Sequence, residues 1–77
     1  MNLNQRLDEE DHLKQLTARE LEVLKYVVMG KSNPQIADEL ALSAHTIKAH
    51  VCSILHKMSV DDRVQAAVKA VRSGIID

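Results

Sequence analysis

Aromatic residues are almost missing from this chain: no Trp, no Phe and a single Tyr, 1% in all, although 45% of its residues are hydrophobic. The core is therefore aliphatic. It is also small, because 77 residues have room for one domain and one modest core, not for a cleft between two lobes. An enzyme is thus excluded in favour of a binding module. Glycine and proline are scarce too, with two and one respectively, too few for the turns of an all-β sandwich or barrel. No run approaches the roughly 20 apolar residues of a membrane span, and the N-terminus has no apolar secretory stretch. The chain reads as cytoplasmic, without a membrane partner. Its one cysteine, Cys52, has no partner for an internal disulfide.

A basic excess is likewise absent. The formal net charge is −1, which as an average argues against nucleic acid. The average conceals an asymmetry, however. Residues 1–22 hold three basic residues (Arg6, Lys14, Arg19) against six acidic ones (Asp8, Glu9, Glu10, Asp11, Glu20, Glu22), so the remainder is net positive. Residues 1–15, with irregularly spaced leucines around the acid run, read as an acidic linker or short N-terminal extension, and residues 16–77 as the domain.

What is present is helical punctuation. Thr17-Ala18-Arg19-Glu20 is a capping box, in which hydroxyl and carboxylate satisfy orphan amides reciprocally, with Leu16 and Leu21 placed as a staple. Leu21, Leu24, Val27 and Val28 follow at helical spacing, and Gly30 supplies a left-handed stop. Ser32-Asn33-Pro34-Gln35 is a second box, with proline in the first turn where its missing amide costs nothing. It opens a short helix to about Leu40 whose inward face is Ile36, Ala37 and Leu40. Ser43 caps a third helix after only a tight turn, which is helix-turn-helix geometry. That helix, about Ser43 to Met58, carries Ile47, Val51, Ile54, Leu55 and Met58 in one stripe. A fourth begins at Asp61 or Asp62 and ends near Gly74, with Val64, Ala67, Val68 and Val71 as its expected buried stripe. The fold class is all-α: a four-helix bundle containing a helix-turn-helix.

With Ile47, Val51 and Ile54 inward, a step of 100° per residue puts His45, Ala49, Cys52, Ser53 and His56 on the opposite face. Lys48 lies on one flank; Thr46, His50 and Lys57 lie on the other. From Ser43 to Met58 there is no acidic residue. Basic and hydroxyl groups beside a small-residue centre suit a phosphate-lined groove, the flanks touching backbone and the centre facing base edges. Periodicity leaves this reading level with that of an ordinary solvated face.

The segments Leu16-Thr17-x-Arg19-Glu20-x-Glu22-Val23-Leu24, Gly30-Lys31-Ser32-Asn33-x-x-Ile36-Ala37, Leu42-Ser43-x-x-Thr46-Ile47-Lys48-x-His50-Val51, Ile54-x-x-Lys57-Met58-x-Val60 and Arg63-x-x-Ala66 resemble the LuxR-type, or GerE-type, helix-turn-helix domains of bacterial response regulators and quorum-sensing activators. The resemblance implies double-stranded DNA as partner, the third helix in the major groove, and a homodimer on paired half-sites. By position it implies base reading by Lys48, Ala49 and Cys52. It implies phosphate contacts by Thr46, His50 and Lys57, with Ser32 and Asn33 at a helix N-terminus suited to anions. It departs from the family at Cys52, where relatives commonly carry a polar or basic reader, and at Gln35, often Glu in the family.

Other readings stand beside this one. The bundle could be a helical protein-interaction module that binds no DNA. His50 could be a structural histidine bonded to backbone, and Arg19 could pair with Glu20 or Glu22 to hold the first helix to the third. His45, Cys52 and His56 lie too far apart along one helix for a single tetrahedral ion, so neither metal nor cofactor is expected. An exposed Cys52 on the reading face would be a redox switch, since its oxidation would obstruct the groove or crosslink protomers. Ala66 and Ala70 form a small-residue stripe expected to let a second copy approach closely. The chain is either an independent small regulator, as Met1 and the short N-terminus suggest, or the output domain of a longer protein with an N-terminal receiver or sensor domain.

Overall fold

Each helix starts where a side-chain oxygen takes over an amide that has no partner within the helix. In the computed structural model, which describes residues 15–76, Thr17 caps α1 (Ala18–Val28), Ser32 caps α2 (Asn33–Leu40), Ser43 caps α3 (Ala44–Lys57) and Asp62 caps α4 (Arg63–Ser73). Both expected capping boxes form: Thr17 with Glu20, and Ser32 with Gln35. No strand occurs among the described residues. The linker or extension expected over residues 1–15 lies, apart from Gln15, outside them.

The first three helices end in one way. The amide of the residue after the pivot reaches back to the carbonyl five residues before it (Lys31 to Tyr26, Leu42 to Ala37, Val60 to Leu55), while the pivot's own amide bonds a nearer carbonyl (Gly30 to Val27, Ala41 to Asp38, Ser59 to His56), all at 2.9–3.4 Å. This motif needs a left-handed residue at its pivot. Gly30 takes that conformation freely at φ 84°, but Ala41 (φ 55°) and Ser59 (φ 56°) take it as well, each at a cost of about 1 kcal/mol. The Ala41 pivot keeps the link from α2 to α3 down to three residues and so sets the corner of the helix-turn-helix.

One aliphatic core runs through the bundle. Val23, Leu24 and Val27 of α1, Ile36 and Ala37 of α2, and Ile47, Val51, Ile54 and Met58 of α3 are buried, joined by Leu16 before α1 and Ile76 after α4. Helix α1 lies against both α3 and α4, and α2 against α3. Leu40 and Leu55 are only partly buried, at the edge of the core.

Helix α4 corrects the sequence reading. Ala66 and Ala70 are 1% and 0% exposed, whereas Val64, Val68 and Val71 are 71%, 45% and 54% exposed. The alanines face the core because their small side chains let the α4 backbone lie close on α1. They cannot also form an exposed dimer stripe. The exposed face of α4, among the described residues, is the valine one, at i, i+4 and i+7.

This register predicts an inverted mutational response. Ala70→Leu should overfill the α1–α4 contact and lower the unfolding free energy by about 1–3 kcal/mol. Val68→Lys should stay within about 0.5 kcal/mol of the parent. Urea denaturation of the two variants measures both.

Candidate nucleic-acid interface

The interface is the outer face of α3, and its geometry starts with what fixes the other face. Ile47 (0% exposed), Val51, Ile54 and Met58 lock the helix into the core. Rotation about its axis is further fixed by Glu20 of α1. That carboxylate is 4% exposed and accepts three hydrogen bonds. Its Oε1 accepts the Thr17 backbone N–H at 2.8 Å and the Lys57 ammonium at 2.8 Å, and its Oε2 accepts the Ser53 hydroxyl at 2.7 Å. Lys57 also donates to the Gln15 carbonyl at 3.3 Å. One side chain therefore caps its own helix and holds two residues of α3, one turn apart.

Burial alone would raise the Glu20 carboxyl. The hydrogen bonds from Lys57, Ser53 and the Thr17 amide, with the Lys57 charge, outweigh it and hold the group at about 2, below its ordinary 4.5. Arg19 remains exposed; the tie between α1 and α3 is made by Lys57, not by Arg19 as expected. Two sequence expectations change with it. Lys57, partly exposed, is paired with Glu20 at 2.8 Å rather than standing free on the flank, and Ser53 is drawn off the outer face.

What remains outside is a compact surface. His45, Lys48, Ala49, Cys52 and His56 are exposed, flanked by the half-buried Thr46 and His50. Within α3 there is no Asp or Glu. Thr46 shares a hydrogen bond of 2.9 Å with Ser43, whose Oγ also accepts the Thr46 amide at 3.0 Å. Both hydroxyls are thereby ordered at the start of α3. His50 has no hydrogen-bonded ring partner among the described residues, so the backbone-satisfied reading of it finds no support there. The Cys52 thiol is free and exposed, as the redox reading requires. Among the described residues no cluster of His, Cys, Asp and Glu is placed to hold a metal ion, and no helix is long and apolar enough to cross a membrane.

Ser32 and Asn33 stand at the start of α2, as its N-cap and first residue. Asn33 is the half-buried member, and its Oδ1 accepts from Arg63 Nη1 at 2.6 Å, while Nη2 of the same guanidinium donates to the Lys31 carbonyl at 2.6 Å. Arg63 belongs to a motif visible in the sequence, but its two partners, 30 and 32 residues away, carry no local sign of the contact.

Comparison with known proteins agrees with this architecture. The pattern of the family described as bacterial regulatory proteins, luxR family, matches residues 14–70. The chain is 45% identical over 62 residues to the transcriptional regulatory protein LiaR of Bacillus subtilis, covering 80% of this chain and 29% of that protein. It is 48% identical over 59 residues to the transcriptional regulatory protein DegU of Brevibacillus brevis, covering 77% and 25%. To the response regulator protein VraR of Staphylococcus aureus it is 41% identical over 61 residues, covering 79% and 29%. The chain thus spans between a quarter and a third of the length of these relatives.

The Glu20 centre gives a pH signature. A carboxyl lowered in the folded state stabilises fully above its unfolded value near 4.5, and that contribution is lost as pH falls toward 2; the shift corresponds to roughly 3 kcal/mol. Glu20→Gln keeps an acceptor for Thr17 but removes the charge. Unfolding titrations should show the variant less stable than the parent by about 2–3 kcal/mol at pH 6, with the gap closing toward pH 2. A gap independent of pH would contradict the assignment.

Proposed function

The chain belongs to the luxR family of bacterial regulatory proteins, and on that premise we propose that it binds double-stranded DNA in transcriptional control, with α3 in the major groove. One observation carries the reading: the surface of α3 that, among the described residues, the core and Glu20 leave uncovered is acid-free and combines cationic or protonatable groups with a small centre. Ala49 permits close approach to base edges and an apolar contact to a thymine methyl. Lys48 reaches a guanine or a bridging phosphate. Cys52 lies beside them and contributes contact without a strong hydrogen bond. Thr46, His50, Ser32 and Asn33 take the phosphate positions on either side. Lys57 acts from behind, by holding α3 in register.

Two further parts of the reading concern assembly. The exposed valines of α4 offer 71%, 45% and 54% of their surfaces, and burying this stripe against its symmetry mate would make a dimer on paired half-sites. The relatives' greater length supports an output domain in a longer regulator, with the receiver or sensor part N-terminal to the residues seen here. An exposed thiol at the centre of the reading face makes binding sensitive to oxidation.

A duplex enriched from a random library tests the function. Its affinity should fall steeply with added salt, and Lys48→Ala should weaken it while making the slope of log K against log salt shallower by about one. Binding without salt dependence, or an unchanged slope in Lys48→Ala, would instead favour the protein-interaction module.

A further inference from the structure

Two histidines of α3 have no part in the core, in the Glu20 contacts or in the base-reading set. His45 and His56 are both exposed. At about 100° per residue they fall within about 20° of one another around the helix, in line with Ala49 and Cys52. A rise of about 1.5 Å per residue sets them about 16 Å apart along the axis, one near each end of Ala44–Lys57. The major groove is only about 12 Å wide. With α3 across the groove and Ala49 and Cys52 toward the base edges, the two imidazoles therefore come to its rims, where the phosphates run.

The charges around them are accounted for on every side. Helix α3 itself carries no acid; besides the histidines it has Lys48, exposed, and Lys57, bound to Glu20. From α1 comes Glu20, whose oxygens are taken by Thr17, Ser53 and Lys57. From α2 come Asp38 and Glu39, both exposed, with Glu39 toward Lys31 at 3.8 Å. From α4 comes Lys69, which donates to the Met58 carbonyl at 2.7 Å. The link between α3 and α4 holds Asp61 and Asp62, both exposed, and Asp62 accepts the Gln65 amide at 2.9 Å. Arg19, Glu22 and Lys25 of α1 and Arg63 and Arg72 of α4 make no side-chain hydrogen bond or ion pair to α3 among the described residues. Nor, among those residues, does any carboxylate lie within ion-pair distance of His45, His50 or His56. Histidine ordinarily changes charge between pH 5 and 8, and an opposite charge at contact distance favours its charged form. The phosphates of a duplex are the anions that supply that charge here.

We propose that His45 and His56 make DNA binding proton-linked: each imidazole takes up a proton as it meets a phosphate at the groove rim, so the domain binds more tightly as pH falls from 7.5 to 6. The proposal rests on the DNA-binding reading above. It adds a response to pH that lysine contacts, charged throughout this range, do not give. The attraction exists only in the protonated form, so it is present at the acid end and lost as pH rises. The anchor of α3 does not titrate alongside, because the Glu20 carboxyl is held at about 2, and the outer face keeps its aim across the range. Phosphate contacts position a duplex without reading its sequence. Acidification therefore strengthens the hold on any duplex and leaves the preference between two duplexes unchanged.

Anisotropy at constant ionic strength, with a selected duplex and an unrelated one, tests this at pH 6.0 and 7.5, a window below the range in which thiols ionise. The parent should bind both duplexes about ten- to twentyfold more tightly at pH 6.0, as expected when two imidazoles each hold a proton about tenfold more tightly beside phosphate. Its slope of log K against log salt should steepen by about one to two at the lower pH. The double variant His45→Gln, His56→Gln should show less than about a fourfold change with pH, the remainder belonging to His50. The double variant His45→Lys, His56→Lys should bind at pH 7.5 within about threefold of the parent at pH 6.0, because its charge no longer depends on pH. Parental affinity independent of pH, or the full response surviving in the glutamine variant, would overturn the proposal, while salt-dependent parental binding upholds the DNA reading. Absence of salt-dependent parental binding at both pH values would overturn both. Circular dichroism at each pH checks folding. Should a double variant prove unfolded, His45→Gln and His56→Gln singly decide: each should remove about half of the response on a logarithmic scale, and two single variants that both keep all of it would overturn the proposal.

Discussion

The structure depends on one buried carboxylate. Glu20 completes the cap of α1 through Thr17, and the same two oxygens reach Ser53 and Lys57 of α3. Removing a carboxylate from water is costly unless each lone pair finds a donor, and here the donors are drawn from two helices. The cap and the helix-to-helix contact are thus satisfied together or not at all. A helix held only by an apolar stripe could roll by a few tens of degrees as its aliphatic side chains repack. With Ser53 and Lys57 bound on one flank, α3 has a defined rotation, and its outer face has defined members.

That constraint explains how a domain of net charge −1 presents a surface suited to a polyanion. The acids are spent elsewhere: Glu20 is internal, Asp62 caps α4, and Glu39 pairs with Lys31. Helix α3 carries none. Its one cation that turns away from the outer face, Lys57, is the counter-charge that lets Glu20 stay ionised. Net charge is a poor guide for so small a domain, because it sums acids wherever they stand in the chain, whereas the field over the reading face is set by the charges on and beside that face.

The parts legible in the sequence are those whose signals are local. Thr17 with Glu20 and Ser32 with Gln35 are three residues apart, so each box is complete within one turn. The stripe of Ile47, Val51 and Ile54 is periodic and reports its own burial. Contacts that depend on how helices cross were not legible. Glu20 and Lys57 are 37 residues apart, and a neighbouring Arg19 offered a nearer but incorrect partner. Valine, the more apolar residue, marks the inward face of α4 by periodicity, whereas the close α1–α4 approach selects alanine. The left-handed Ala41 and Ser59 had no sign comparable to Gly30, since their conformation is imposed by the hydrogen bonds that close α2 and α3.

The central claim is that the core and Glu20 together aim one face of α3 at DNA. Amide chemical shifts of the labelled chain, followed while a selected duplex is added, test it most directly. The account predicts the largest changes at Thr46, Lys48, Ala49, His50 and Cys52 and at Ser32 and Asn33, with Val51 and Ile54 in the core and Glu20 little altered. Changes confined to α4, or a loss of the Glu20 contacts on binding, would contradict it.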